Sequence, residues 1–161
     1  MKVQHEINRE KTTTTWLTPP DIIESLGEFD LDPCTPIEMP WKTAKHRFTE
    51  IQDGLKQDWF GRVWLNPPYG VGMNLWMKKM AEHNNGISLL FNRTETDLFH
   101  KYIFNGASAI LFKKGRIHFL NNDGIKVGNG SGCGSVFIAY GEQNAYKLLN
   151  SGIEGKFINL I

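Results

Sequence analysis

Asn66-Pro67-Pro68-Tyr69 stands directly after the apolar run Val63-Trp64-Leu65. That order of residue types suits one chemical task. An amine on an aromatic ring is a poor nucleophile, because its lone pair is delocalised into the ring. Two oxygen acceptors placed on its two hydrogens favour a more tetrahedral nitrogen. The Asn66 side-chain oxygen can be one acceptor, and the main-chain carbonyl of Pro67 the other. Proline after the asparagine fixes the backbone, so both acceptors converge at low entropic cost. Tyr69 can stack on a nucleobase, a contact worth about 1–3 kcal/mol. A base in a duplex must first be turned out of its stack. If the methyl donor is a sulfonium, its leaving group is a neutral thioether and the first step needs no general base. The demand is then for positioning and electrostatic preorganisation.

Such a site needs a strand behind it and a loop in front. Val63–Leu65 reads as that strand, stopped by two prolines. Before it, Thr18-Pro19-Pro20 opens a helix that runs to Gly27, with Thr18 as its N-cap. Phe29–Pro33 and His46–Thr49 read as short strands. After the motif, residues 74–84 read as an amphipathic helix with Leu75, Trp76, Met80 and Ala81 inward, Lys78, Lys79 and Glu82 outward, and Gly86 at its end. Ile87–Phe91 is a buried-type strand, Thr94–Phe104 a helix, and Ala109–Phe112, Arg116–Leu120 and Ser135–Tyr140 further strands. Glu142–Asn150 reads as a helix and Phe157–Ile161 as a last strand. Asn121–Gly134, rich in glycine and asparagine, reads as a mobile hairpin loop. Strands alternating with helices predict an α/β fold of Rossmann-like type. Its central sheet is expected to be mostly parallel, with an antiparallel hairpin near the C-terminus and helices on both faces. Ligands of such sheets collect at the carboxyl ends of the strands, where Asn66 falls.

The 161 residues favour one domain over 16–161, with residues 1–15 as a polar mobile arm. A 40% hydrophobic and 22% charged composition fits a globular chain, and no apolar run approaches the length of a membrane span. No signal-peptide core is seen, so the expected location is the cytoplasm. Lys plus Arg is 18 against 17 for Asp plus Glu, a net charge of +1. A local basic face is then required if the partner is a polyanion. Lys113, Lys114, Arg116 and His118 offer one beside the glycine-rich loop, and Arg93 follows the strand ending at Phe91. Lys42, Lys45, His46 and Arg47 form a weaker cluster. Cys34 and Cys133 have no second cysteine near them, which predicts free thiols and no metal site.

The ordered run of signatures resembles the phage-type, Dam-like DNA N-6-adenine methyltransferases. The pieces are Trp16-Leu17-Thr18-Pro19-Pro20, Phe29-Asp30-Leu31-Asp32-Pro33-Cys34, and Asp53-Gly54-Leu55 with Trp59. They continue with Gly61-Arg62-Val63-Trp64-Leu65-Asn66-Pro67-Pro68-Tyr69, Asn92-Arg93-Thr94-Glu95-Thr96, Lys114-Gly115-Arg116-Ile117-His118-Phe119-Leu120 and Gly134-Ser135-Val136. The resemblance covers about residues 14–141. It implies S-adenosylmethionine as cofactor, DNA as partner and adenine N6 as the methylated atom. Asp32, with Pro33, is implied to meet the cofactor's ammonium. Thr18 and Pro19 are implied to pack by its methionine end, and Asp53 to accept from its adenine amine. Asp30 and Glu38 are the candidates for the ribose. Many methyltransferases place a glycine-rich loop after the acid; this chain, like the phage-type relatives, does not. Arg93, Lys113, Lys114, Arg116 and His118 are the implied DNA contacts.

The chain is short for an enzyme that must hold DNA and choose a sequence. Loops 34–50, 69–74 and 121–134 would do that work, helped by a partner or by a second subunit in a homodimer. Two other readings stand beside this one. Cytosine N4 or a protein glutamine amide poses the same electronic problem, although Asn66 tilts against cytosine. A nucleic-acid-binding module that has lost the cofactor site would also keep the sheet.

Overall fold

A computed structural model describes residues 16–128 and 130–161; the predicted N-terminal arm and Asn129 lie outside the described residues. Its centre is a seven-stranded sheet. The strands are β1 (Leu31–Asp32), β2 (His46–Arg47), β3 (Val63–Leu65), β4 (Gly86–Phe91), β5 (Ala109–Lys113), β6 (Ser135–Tyr140) and β7 (Gly155–Asn159). They lie in the order β2-β1-β3-β4-β6-β5-β7. Pairing is parallel from β2 to β4 and antiparallel from β4 to β7. Strands β1 to β5 therefore all point the same way. Their carboxyl ends share one edge of the sheet.

Alternation along the strands sorts two cores. Ile87 and Leu89 of β4 and Phe137 and Ala139 of β6 face one side. There they meet Ile23 of α1 (Pro20–Ser25), Leu26 at its C-cap and Leu148 of α3 (Glu142–Leu149). Leu90, Val136 and Ile138 face the other side, against Trp76, Met77 and Met80 of α2 (Met73–His83) and Phe99 and Ile103 of a π-helical turn, Phe99–Phe104. Helices thus cover both faces, as the alternation of elements predicts.

Several local expectations are corrected. Thr18 does not cap α1: Pro19 occupies that position and no side chain bonds the free amides. In α2, Leu75 is exposed and Met77 is buried in its place. Lys79 does not face solvent either, because its ammonium donates to the carbonyls of Leu55 and Gln57. Asn84, in the left-handed region, ends α2, and Gly86 is the first residue of β4. A Cβ on Gly86 would lie 2.2 Å from the Val63 carbonyl oxygen, so the β3–β4 contact requires glycine there. The expected helix 94–104 becomes the π-helical turn, entered where the Thr96 carbonyl accepts from both Phe99 and His100. Arg116–Leu120 is not a regular strand. Only Leu120 is bridged, to Leu17 and to Lys126. Strand β1 is shorter than expected, since the Arg62 carbonyl takes the amides of both Asp30 and Leu31 and Pro33 has none to give.

At the opposite, amino edge, Arg62 holds three elements together. Its Nε donates to Asn144 Oδ1 at 2.6 Å and its Nη1 to the Glu28 carbonyl at 2.8 Å. The guanidinium lies 4.1 Å over the Phe29 ring, and burial lowers its pKa to about 10. Arg62→Ala should cost about 2 kcal/mol, because the partners are left unpaired. Arg62→Lys should recover little of that, since a single ammonium cannot reach both acceptors. The urea midpoints of the two variants check this.

Candidate active site

At the carboxyl edge, the ends of β1, β3 and β4 surround a cavity of about 740 Å³. Its wall includes Thr18, Asp32, Pro33, Asp53, Asn66, Pro67, Pro68 and Tyr69. The sequence therefore named much of one wall. Pro19 is outside it and turns the chain into α1 instead.

Asn66 is oriented by chemistry that has only one solution. Its Nδ2 donates to the Trp16 carbonyl and to Thr18 Oγ1, each at 3.3 Å. The Trp16 carbonyl can only accept, so the amine half of the amide must face it. The amide oxygen is left as an acceptor. Thr18, which is buried, thus serves the asparagine and not the helix. On its other side the Asn66 main-chain carbonyl accepts from the Cys34 thiol at 3.2 Å. Burial pushes that thiol well above the usual range, which keeps it protonated and a donor.

Tyr69 is fixed twice. Its ring stacks on Phe91 with centroids 4.4 Å apart and planes 24° from parallel. Its hydroxyl oxygen accepts from the Phe91 amide at 3.0 Å. Burial raises the hydroxyl's pKa, while the charge of Arg93 opposes that rise. Beyond Phe91 the aromatic contacts continue edge-on to Phe119 and then to Trp16.

Asp32 is 5% exposed at the end of β1. Thr43 Oγ1 donates to one carboxylate oxygen and the Cys34 amide to the other. Desolvation wins over these bonds and over the charge of Arg47, so the carboxyl pKa is raised. A buried acid on a cavity wall, short of a countercharge, fits a cationic ligand group. Asp53 also lines the cavity, in a left-handed turn at φ 53°, paired with Lys56 at 3.0 Å. That hydrogen bond holds its pKa below the ordinary value. Gly54 beside it admits no Cβ, which would sit 1.9 Å from the Pro33 carbonyl oxygen. The Asp53 turn is thereby pressed onto the end of β1.

A family model described as DNA N-6-adenine-methyltransferase (Dam) matches residues 6–152. The chain belongs to that family. Neither the curated proteins nor the solved structures give a significant match. Membership makes DNA adenine methylation the family activity and DNA the family substrate. Among the described residues, no helix of this Dam-family chain is long and apolar enough to cross a membrane.

The remaining candidates divide. Asp30 is bound to the Arg62 amide and to Lys45, and Glu38 is exposed; neither lines the cavity. Glu50 does line it and was missed from sequence. The available signal was its place just beyond β2, at the same sheet edge as Asp32. Arg93, Arg116 and His118 are exposed outside the cavity. Lys113 donates to the Lys114 carbonyl, Lys114 pairs with Glu154 at 3.0 Å, and Arg116 donates to the Ser131 carbonyl at 2.7 Å. Cys34 and Cys133 are free thiols. No group of His, Cys, Asp or Glu among the described residues is arranged to hold a metal ion.

The raised carboxyl of Asp32 carries a stability signature. Its folded pKa exceeds its unfolded one, so ionising it costs stability once pH passes the ordinary aspartate range, near 4. Below that range both states are protonated and the cost is absent. An amide keeps only one of the two oxygens that accept from Thr43 and Cys34, so the signature is read as a pH dependence: the Tm of Asp32→Asn relative to wild type should rise from pH 3 to pH 7 by about 2–4 °C for each kcal/mol relieved. Calorimetric melts at the two pH values check this; a Tm difference from wild type that does not grow between pH 3 and pH 7 would contradict the assigned strain.

Proposed function

We propose that this chain is an S-adenosylmethionine-dependent, site-specific DNA adenine-N6 methyltransferase whose target base turns out of the duplex into the cavity beside Asn66. The observation that carries the proposal is the orientation of the Asn66 amide. With its Nδ2 spent on Trp16 and Thr18, its oxygen is left as an acceptor on a residue that lines the cavity. The Pro67 carbonyl is the second acceptor. Together they grip both hydrogens of the adenine amine and draw its lone pair out of the ring. The Tyr69 ring, backed by Phe91, presents its other face to the base.

The donor set fits the cofactor. Asp32 lacks the countercharge that an α-ammonium would bring. Glu50 takes the place for ribose hydroxyls that Asp30 and Glu38 do not reach. Asp53 is positioned to accept from an adenine amine. Bound S-adenosylmethionine supplies a methyl group on a sulfonium, with a neutral thioether as leaving group. The protein's own work is alignment and exclusion of water, with no side chain required to take a proton first. Arg93, beside Tyr69, and Lys113, Lys114, Arg116 and His118 along the same edge serve the DNA phosphates.

The test is transfer of label from S-adenosylmethionine to duplex DNA or to protein, followed by nucleoside analysis. Label is expected in N6-methyladenine; label confined to N4-methylcytosine or to protein would end the proposal. Asn66→Ala should lower turnover by about 10²–10³-fold, as loss of a preorganised polar contact does. Cofactor affinity by calorimetry should be largely kept. Asp32→Asn should show the reverse pattern, with cofactor affinity falling first.

A further inference from the structure

Tyr69 is followed by Gly70-Val71-Gly72, after which α2 begins. Both glycines have left-handed φ, 114° and 97°, and nothing lies within 4 Å of where a Cβ on either would stand. Val71 between them is 112% exposed, more than any other large apolar side chain described. An isolated exposed valine would need no explanation. This one sits among others: Tyr69 is 44% exposed, and Leu75, one helical turn further on, is 53% exposed. An apolar tip therefore stands beside the cavity without belonging to its wall.

The tip is movable but tethered at both ends. Tyr69 is held by its stack on Phe91 and by the amide bond to its hydroxyl. On the other side Met73 donates to the Gly70 carbonyl at 3.3 Å and Leu75 to that of Gly72 at 2.9 Å. Val71 is five residue steps from Asn66, a reach of at most about 18 Å when extended. The tip and the base-gripping amide are thus within one DNA step or a few of each other.

Resting on the proposed methylation of a base turned out of duplex DNA, we infer that Val71 enters the stack at the step the target adenine leaves. That departure opens a gap floored and roofed by apolar base faces. Filling it with an apolar side chain offsets part of the lost stacking, as apolar wedges do in other DNA-bending proteins. Valine suits the role because it is stiff at χ1 and gives up little rotamer freedom on insertion. The flanking glycines keep side chains away from the phosphate backbone as the tip advances. Val71 carries no hydrogen-bonding group, so its contribution is to base extrusion and not to reading the target sequence.

The experiment compares wild type, Val71→Ser and Val71→Ile on two DNAs of the same sequence. One is a normal duplex; in the other the target adenine stands opposite an abasic site and is already unpaired. Val71→Ser should slow methylation of the normal duplex about tenfold, the loss of roughly 1.4 kcal/mol of gap filling. On the unpaired target it should remain within about twofold of wild type, because extrusion then costs least. Val71→Ile should match wild type on both. With 2-aminopurine at the target, Val71→Ser should show a weaker fluorescence rise on binding. Equal slowing on both DNAs, or slowing on neither, overturns the inference while leaving the methyltransferase reading intact. If wild type methylates adenine in neither DNA, the proposed function itself fails and takes this inference with it.

Discussion

The geometry of the site depends on one amide. Asn66 can offer an oxygen to a ligand only while its nitrogen is engaged, and both acceptors for that nitrogen come from residues 16–18, far away in sequence. That segment is itself held from a third direction. Leu17 exchanges backbone hydrogen bonds with Leu120, and Trp16 packs edge-on against Phe119. Residues 16–18, the loop after β3 and the connection between β5 and β6 thus meet around a single side chain. A turn that looks local in sequence is fixed by two remote pieces of chain.

Cys34 extends the same constraint toward Asp32. Its amide donates to Asp32 and its thiol to the Asn66 carbonyl, so one residue joins the acid of β1 to the motif of β3. A thiol is a weak donor, and the energy of that bond is small. Its value is geometric: it fixes the peptide plane from which both the Asn66 side chain and the Pro67 carbonyl depart. The raised pKa removes the alternative of a thiolate, which would repel that carbonyl and the neighbouring Asp32.

The parts of this arrangement that were legible in sequence are those with a steep local signal. Val63–Leu65 and Ser135–Tyr140 are apolar runs with sharp polar or proline boundaries, and their extents agree with the strands. Two-residue strands carry almost no periodicity, so β1 and β2 were placed but not bounded. Thr18 was misread because threonine before two prolines satisfies every local rule for a helix cap; only the fold supplies Asn66 as the better partner. Leu75 and Met77 exchanged roles because Met77 lies on the stripe that meets the sheet, a matter of helix rotation that spacing alone does not fix. Residues 116–120 alternate in burial like a strand, with Ile117 and Phe119 inside, yet they lack a continuous neighbour to pair with. Glu50 stands just after a short strand, a weak signal by itself. Its meaning comes from a parallel strand end beside it, which requires the sheet order.

That sheet order also governs the electrostatics. A net charge of +1 gives no reason to expect an affinity for DNA, but the average conceals a sorting. Lys45 is occupied by Glu28 and Asp30, Lys56 by Asp53, Lys78 by Glu82 and Lys114 by Glu154. Such exposed pairs add little stability, yet they neutralise the cations involved over a Debye length of about 8 Å at physiological salt. Among the described residues, Arg93 and Arg116 enter none of these pairs, and neither do Arg47, Lys101, Lys126, Lys147 and Lys156. Arg93 and Arg116 both follow strands whose carboxyl ends share the edge with Asn66. Two exposed guanidiniums thus stand at the sheet edge that carries the Asn66 cavity. A few unpaired cations at one edge would orient a polyanion in fewer poses than a uniformly basic surface.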